Sequence, residues 1–170
     1  MNYNYVKNIF LIGAFTGLRV SDFRRLEDVN FNSGYLKVTT RKTGAPVVIP
    51  IHPIVKEILE NDFNFSRHIP DQKINKHIKK ICRLAKITEK IQTTTIHANR
   101  PIKTITEKCD LVTTHTARRS AATNMFKAGI PSISIMKITG HTTEKSFMKY
   151  IKITEEENAE LLKKHAFFNT

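Results

Sequence analysis

The chain has 170 residues, 40% of them hydrophobic and 25% charged, which suits one globular domain with a core of its own. Lys and Arg total 28 against 15 acidic residues, a formal charge of +13 that points to a polyanionic partner over a merely solvated basic surface. No apolar run reaches the roughly 18–20 residues of a membrane span, and the opening MNYNYVKNIFLIGAF lacks the basic flank and cleavage site of a secretory signal, so an intracellular chain is expected.

In chain order, residues 4–15 read as a core helix ending near Gly17, and a second helix runs from about Val20 to Leu26, with Leu26 buried. GYLKVTT and PVVIPI are β-rich runs around Arg41-Lys42-Thr43-Gly44-Ala45, a hairpin in which Pro46 opens its strand. Pro53 starts a helix to about Asn61. From Asp71 to Lys86, Ile74, Ile78, Ile81, Leu84 and Ala85 recur at helical steps, while Lys76, Lys79, Lys80, Arg83 and Lys86 take the other face. IQTTTI and PIKTIT flank His97-Ala98-Asn99-Arg100 as a second hairpin. Helices at 114–128 and 131–138 meet around Gly129 and Pro131, and a short helix covers 143–150. Thr154 and Glu157 form a T-x-x-E capping box that opens a last helix through Lys164. The fold class is mainly α with small antiparallel β hairpins (α+β).

The charge is uneven along this order. Residues 67–110 carry 11 basic and 4 acidic side chains, whereas the last twenty carry 3 and 4, so a basic face followed by a near-neutral tail is expected. Cys82 and Cys109 lie 27 residues apart in no C-x-x-C pattern and read as reduced, structural thiols. The seven histidines include no i, i+4 pair with a carboxylate, and no metal site is expected.

Four segments carry chemistry, and each alone has a plain alternative. In TGLRVSDFRRL, Arg19 follows a glycine turn and pairs by spacing with Asp22, as any surface ion pair does. Lys42 sits at a hairpin tip, where lysines are usually just solvated. In THTARRSAATNMF, His115 and Arg118 share a helix face beside Arg119, which also describes a helix-start histidine with exposed arginines. In ITGHTTEKSFMKYI, Tyr150 lies nine residues after His141, and with Phe147 and Ile151 it has the spacing of core.

Together, Arg, Lys, His-x-x-Arg, Gly-His and the tyrosine nine residues on resemble the tyrosine recombinase, or integrase, family across Thr16 to Tyr150. HTARRSAATNMF and KITGHTTEKSFMKYIKIT look closest to integrases of conjugative transposons and related mobile elements. Arg119 departs from the second histidine of many relatives. The resemblance implies a DNA breaking-rejoining catalytic domain that cuts and rejoins DNA through a 3′-phosphotyrosine, with neither metal nor other cofactor. It makes Tyr150 the nucleophile, Arg19 and Arg118 a clamp on the phosphate oxygens, and Lys42 the general acid. His115 moves the tyrosine's proton, His141 holds the phosphate, and Asp22 orients an arginine. Lys76, Lys79, Lys80, Arg83, Arg100 and Arg119 are expected to contact DNA.

The same resemblance implies double-stranded DNA as partner, a synaptic tetramer on DNA with a monomeric free domain, and a cytoplasmic, nucleoid-associated bacterial setting. Residues 1–170 are expected to be one catalytic domain, without the N-terminal core-binding domain, and residues 152–170 a tail helix that docks in cis or in trans. Two readings stand beside it. A type IB topoisomerase shares the chemistry, against which the Gly-His-x8-Tyr spacing and compact length weigh. A non-catalytic DNA-binding module could keep the fold, against which the full residue set weighs.

Overall fold

The computed structural model describes residues 3–24, 33–42, 44–61, 63–64, 67, 69–98 and 100–168. Helix α1 (Tyr3–Thr16) is the axis of the core, and its buried Tyr5, Val6, Ile9 and Ile12 recur at helical steps. Against it pack α3 (Pro53–Glu60), α4 (Asp71–Leu84) and α6 (Thr114–Lys127). Helix α2 (Val20–Phe23) follows α1 directly; the expected extension to Leu26 lies outside the described residues.

Strands β1 (Tyr35–Thr39) and β2 (Pro46–Pro50) pair antiparallel, with Val38 opposite Val47. Alternation sends Leu36, Val38, Val47 and Ile49 into the core and leaves their neighbours outside, as a half-buried hairpin requires. Pro53 opens α3, where its missing N–H costs nothing, and the His52 ring accepts the Ile54 N–H as a cap at 3.2 Å. Strands β3 (Lys90–His97) and β4 (Arg100–Glu107) make the second hairpin, most of it exposed. The result is the mostly helical architecture with two antiparallel hairpins that the residue patterns imply.

Helix α4 corrects one expectation. Ile74, Ile78 and Cys82 are its buried stripe, but Leu84 is 72% exposed and Ala85 is exposed too. Leu84 lies two residues past Cys82, more than half a turn around the helix. The helix also stops there: Lys86 turns left-handed at φ 59°, its N–H meets the Arg83 carbonyl, and the Ile87 N–H closes on that of Cys82. A short helix absent from the sequence reading, α5 (Lys108–Leu111), then covers this end and buries Cys109 completely.

The last third of the chain builds a second, smaller core from Ala122, Ile135, Phe147 and Ile151. It joins α6 to α7 (Ser132–Thr139) and α8 (Glu144–Met148). Helix α9 (Glu155–Lys163) opens with the expected capping box, Thr154 Oγ1 taking the Glu157 N–H and Glu157 the Thr154 N–H. It buries none of its residues fully, and Lys127 of α6 reaches Glu157 at 2.6 Å.

Candidate active site

Two helices end in the same way beside the site. Thr16-Gly17 closes α1 and Thr139-Gly140 closes α7, with both glycines left-handed, at φ 70° and 62°. Each threonine hydroxyl bonds back to the carbonyl four residues earlier, Thr16 to Ile12 and Thr139 to Ile135, both at 2.7 Å. The two ends touch: a Cβ on Gly17 would meet Thr139 Cγ2 at 3.3 Å. Glycine is therefore required at position 17 both for its backbone angle and for this approach.

Arg118 joins these ends. Its side chain is 2% exposed, and it donates through NH1 to the Gly17 carbonyl at 2.6 Å and through NH2 to the Thr139 carbonyl. Its Nε–H has no partner among the described residues. Burial, then the neighbouring Arg19, lowers Arg118 to about 10, which leaves it charged at neutral pH. Its guanidinium lies 5.9 Å from the centre of the Tyr150 ring.

Helix α6 also carries His115, whose Nε2 lies 2.8 Å from the Tyr150 hydroxyl, the rings edge to face. Desolvation, Arg119, Arg118 and Arg19 hold His115 below the usual histidine range, so at neutral pH its Nε2 can accept the tyrosine proton. Further along α6, Thr123 donates to the Tyr150 carbonyl at 3.0 Å and accepts the Lys152 N–H. One helix thus supplies the imidazole, the arginine and the clasp on the tyrosine backbone. Tyr150 itself is half-buried and follows α8, which stops at Met148, short of the expected helix end.

His141 completes the cluster. Its backbone N–H bonds to the Met136 carbonyl at the glycine cap, its Nδ1 lies 2.7 Å from Thr139 Oγ1, and its ring stands 4.3 Å from that of Tyr150. Burial, Arg118 and Arg19 push it down to about 4, so it is neutral at pH 7.

Arg19 lies 3.8 Å from Asp22, which is 1% exposed. The other oxygen of Asp22 accepts the Arg41 N–H at 2.9 Å, so this carboxylate ties the β1–β2 hairpin to the arginine. Lys42 follows Arg41 at the exposed tip, with no hydrogen bond to the other candidate residues among the described ones. Arg19, Thr114, His115 and Arg118 line a cleft of about 200 Å³.

The structure therefore gathers Arg19, Asp22, His115, Arg118, His141 and Tyr150, and leaves the expected DNA-contact residues on outer faces. Lys76, Lys80 and Arg100 are exposed, while Lys79 and Arg119 are half-buried. Arg83 is engaged, with its guanidinium at 3.0 Å from Glu107 and 2.7 Å from Asp110. Thr123 and Thr139 were missed by the sequence reading, although Thr139 stands next to the Gly-His pair.

The sequence matches the profile of the phage integrase family over residues 2–157. It is 30% identical over 165 residues to tyrosine recombinase XerA of Pyrococcus horikoshii, covering 95% of this chain and 54% of that protein. Against tyrosine recombinase XerA of Pyrococcus furiosus it is 32% identical over 143 residues, covering 82% and 47%. The chain spans about half the length of the curated relatives it matches. A crystal structure of XerA recombinase shares the fold with a TM-score of 0.66 at 17% identity, over 98% of this chain and 64% of that one. The Tn1549 transposon integrase in complex with transposon right end DNA does so at 0.59 and 15%, over 94% and 58%. With the profile covering Arg19 through Tyr150 and the fold shared, the chain belongs to the phage integrase family.

Proposed function

We propose that this chain is the catalytic domain of a site-specific tyrosine recombinase, cutting and rejoining DNA strands through a 3′-phosphotyrosine at Tyr150. The observation that carries the reading is the 2.8 Å contact between the Tyr150 hydroxyl and His115 Nε2, set beside two arginines. Tyr150 Oη attacks the phosphorus while its proton passes to the neutral His115. The bond from phosphorus to the 5′-oxygen breaks, and Lys42, brought in by the hairpin, protonates that oxygen. Arg19 and Arg118 offset the charge that gathers on the nonbridging oxygens, and His141 binds one of them. Asp22 orients Arg19 and holds the hairpin. Attack by a 5′-hydroxyl of a partner duplex reverses these steps and frees Tyr150, so the phosphodiester energy is kept and no nucleotide is consumed.

Duplex DNA is the substrate in this reading. Its support is the +13 charge, and the fold shared with XerH recombinase bound to its palindromic difH substrate and with Tn1549 integrase on transposon DNA. Lys76, Lys79, Lys80, Arg100 and Arg119 contact the DNA backbone and position the domain without reading sequence. Arg83, held by Glu107 and Asp110, is the weakest of the expected contacts. Chains assemble into a synaptic tetramer on DNA, and the free domain is monomeric. Covalent trapping of the chain on a nicked duplex tests the chemistry.

A further inference from the structure

The Thr139 hydroxyl sits between backbone carbonyls and an imidazole, and its single proton can serve only the carbonyl side, where Ile135 is near and Met136 lies at 3.5 Å. Its Oγ1 lies 2.7 Å from the Ile135 carbonyl and 2.7 Å from His141 Nδ1. A carbonyl oxygen only accepts, so the hydroxyl proton points to Ile135. Turned toward the imidazole instead, it would leave two oxygens facing each other at that distance with nothing between them. The contact to His141 must then be donated by Nδ1–H, and the hydroxyl accepts it. Thr139 is 1% exposed, so no bulk water competes for either bond. In a neutral imidazole with its proton on Nδ1, Nε2 carries only a lone pair.

Among the described residues, the titratable and charged groups facing this ring are His115 and Arg118 from α6, Arg19 from the turn before α2, and Tyr150, with the Phe147 ring also against it. No carboxylate is among them, and His141 rests neutral. A phosphate oxygen arriving at Nε2 would meet lone pair with lone pair until the imidazole gains a proton, which the negative phosphate itself favours.

We propose that the Thr139 hydroxyl holds His141 in its Nδ1–H form, so that His141 engages a DNA phosphate only by taking up one proton at Nε2. Thr139 is a positioning residue in this account, acting on phosphate binding through His141. Its backbone carbonyl, which holds Arg118, is a separate contribution that side-chain substitution leaves in place. The proposal rests on the reading of His141 as a phosphate ligand.

The ring tautomer can be read without DNA or activity, by two-bond ¹H–¹⁵N correlation of the free chain, with His141 assigned from the His141→Gln spectrum. The wild type and Thr139→Ser should show a protonated Nδ1 and an unprotonated Nε2. Thr139→Val should shift His141 toward the Nε2–H form. A wild-type spectrum with Nε2–H overturns the proposal whether or not the valine variant folds, and so does a folded valine variant unchanged from wild type. The pH profile of covalent adduct formation gives the functional readout. The ratio of Thr139→Val to wild-type rate should rise with pH, because the variant can donate from Nε2 without an added proton, and Thr139→Ser should follow wild type. A ratio independent of pH contradicts the proposal. If the tautomer is as stated and no adduct ever forms, the recombinase reading fails while the Thr139 assignment stands. An adduct with Nε2–H in the wild type has the opposite meaning.

Discussion

His115 Nε2 and the Tyr150 hydroxyl lie 2.8 Å apart although 35 residues separate them in the chain. The contact is held from both ends: His115 sits in the first turn of α6, and Thr123 of the same helix clasps the Tyr150 carbonyl. Because the histidine rests neutral, it is a proton acceptor ready for the tyrosine. His115→Gln, which keeps a polar group near the hydroxyl but takes no proton, should slow adduct formation by about 10²–10⁴-fold, the usual range for a general base. Single-turnover kinetics on a nicked duplex measure this. An unchanged rate removes His115 from the proton path.

Arg118 has a structural duty that Arg19 does not share. It bridges the ends of α1 and α7 through the Gly17 and Thr139 carbonyls, and its side chain is buried. Arg118→Met leaves two buried acceptors unsatisfied and should cost at least about 2 kcal/mol of stability. Arg19→Met, at a partly exposed side chain that bridges no helix ends, should cost less than Arg118→Met, its cost coming from the buried Asp22 carboxylate left without its partner at 3.8 Å. Urea unfolding curves of the two variants separate the cases, and both should lose adduct formation.

Stability should fall in mild acid. Burial and the neighbouring arginines push His141 down from an ordinary 6.5 to about 4 in the folded chain, and His115 is shifted in the same direction. As pH falls below about 6.5, the unfolded chain binds these protons first, so stability present above that pH is lost progressively toward about 4. Thermal unfolding as a function of pH should show this decline, and His141→Gln should make it shallower. An equally steep decline in the variant assigns the acid sensitivity to other groups.

Much of this was legible in the residues. Leu36, Val38, Val47 and Ile49 alternate along two short runs, and that period admits only one buried face. The Thr154–Glu157 box and the prolines at 46 and 53 mark their elements by local chemistry alone. The candidate site could be read because its residue types and order are unusual together. The supports of the site were hidden. Arg118 meets two backbone carbonyls, and a carbonyl has no identity in a sequence. Thr123 and Thr139 look like ordinary helix threonines until tertiary packing brings Tyr150 and His141 to them. The end of α4 was misjudged for a related reason: a lysine in a left-handed turn breaks the local preference for glycine there, so Lys86 carried no signal that the helix had stopped.

Lys76, Lys79 and Lys80 differ from Arg83 in a way that salt can reveal. If the three lysines neutralise phosphates, each alanine substitution should lower the slope of log affinity against log salt by about 1. Arg83 already serves Glu107 and Asp110, so Arg83→Ala should change the slope less. Fluorescence anisotropy with a labelled duplex over a salt series checks both. Equal slopes for all four variants and wild type would remove this helix from the DNA interface.

The central claim is that Tyr150 becomes covalently joined to DNA. The most direct measurement is incubation with a suicide duplex nicked next to the scissile position, using a panel of mobile-element ends, followed by denaturing electrophoresis and peptide mass spectrometry. The account predicts a protein–DNA adduct with wild type, a nucleotide-modified peptide containing Tyr150, and no adduct with a folded Tyr150→Phe variant. An adduct mapped to another residue, or one that survives in Tyr150→Phe, would contradict it.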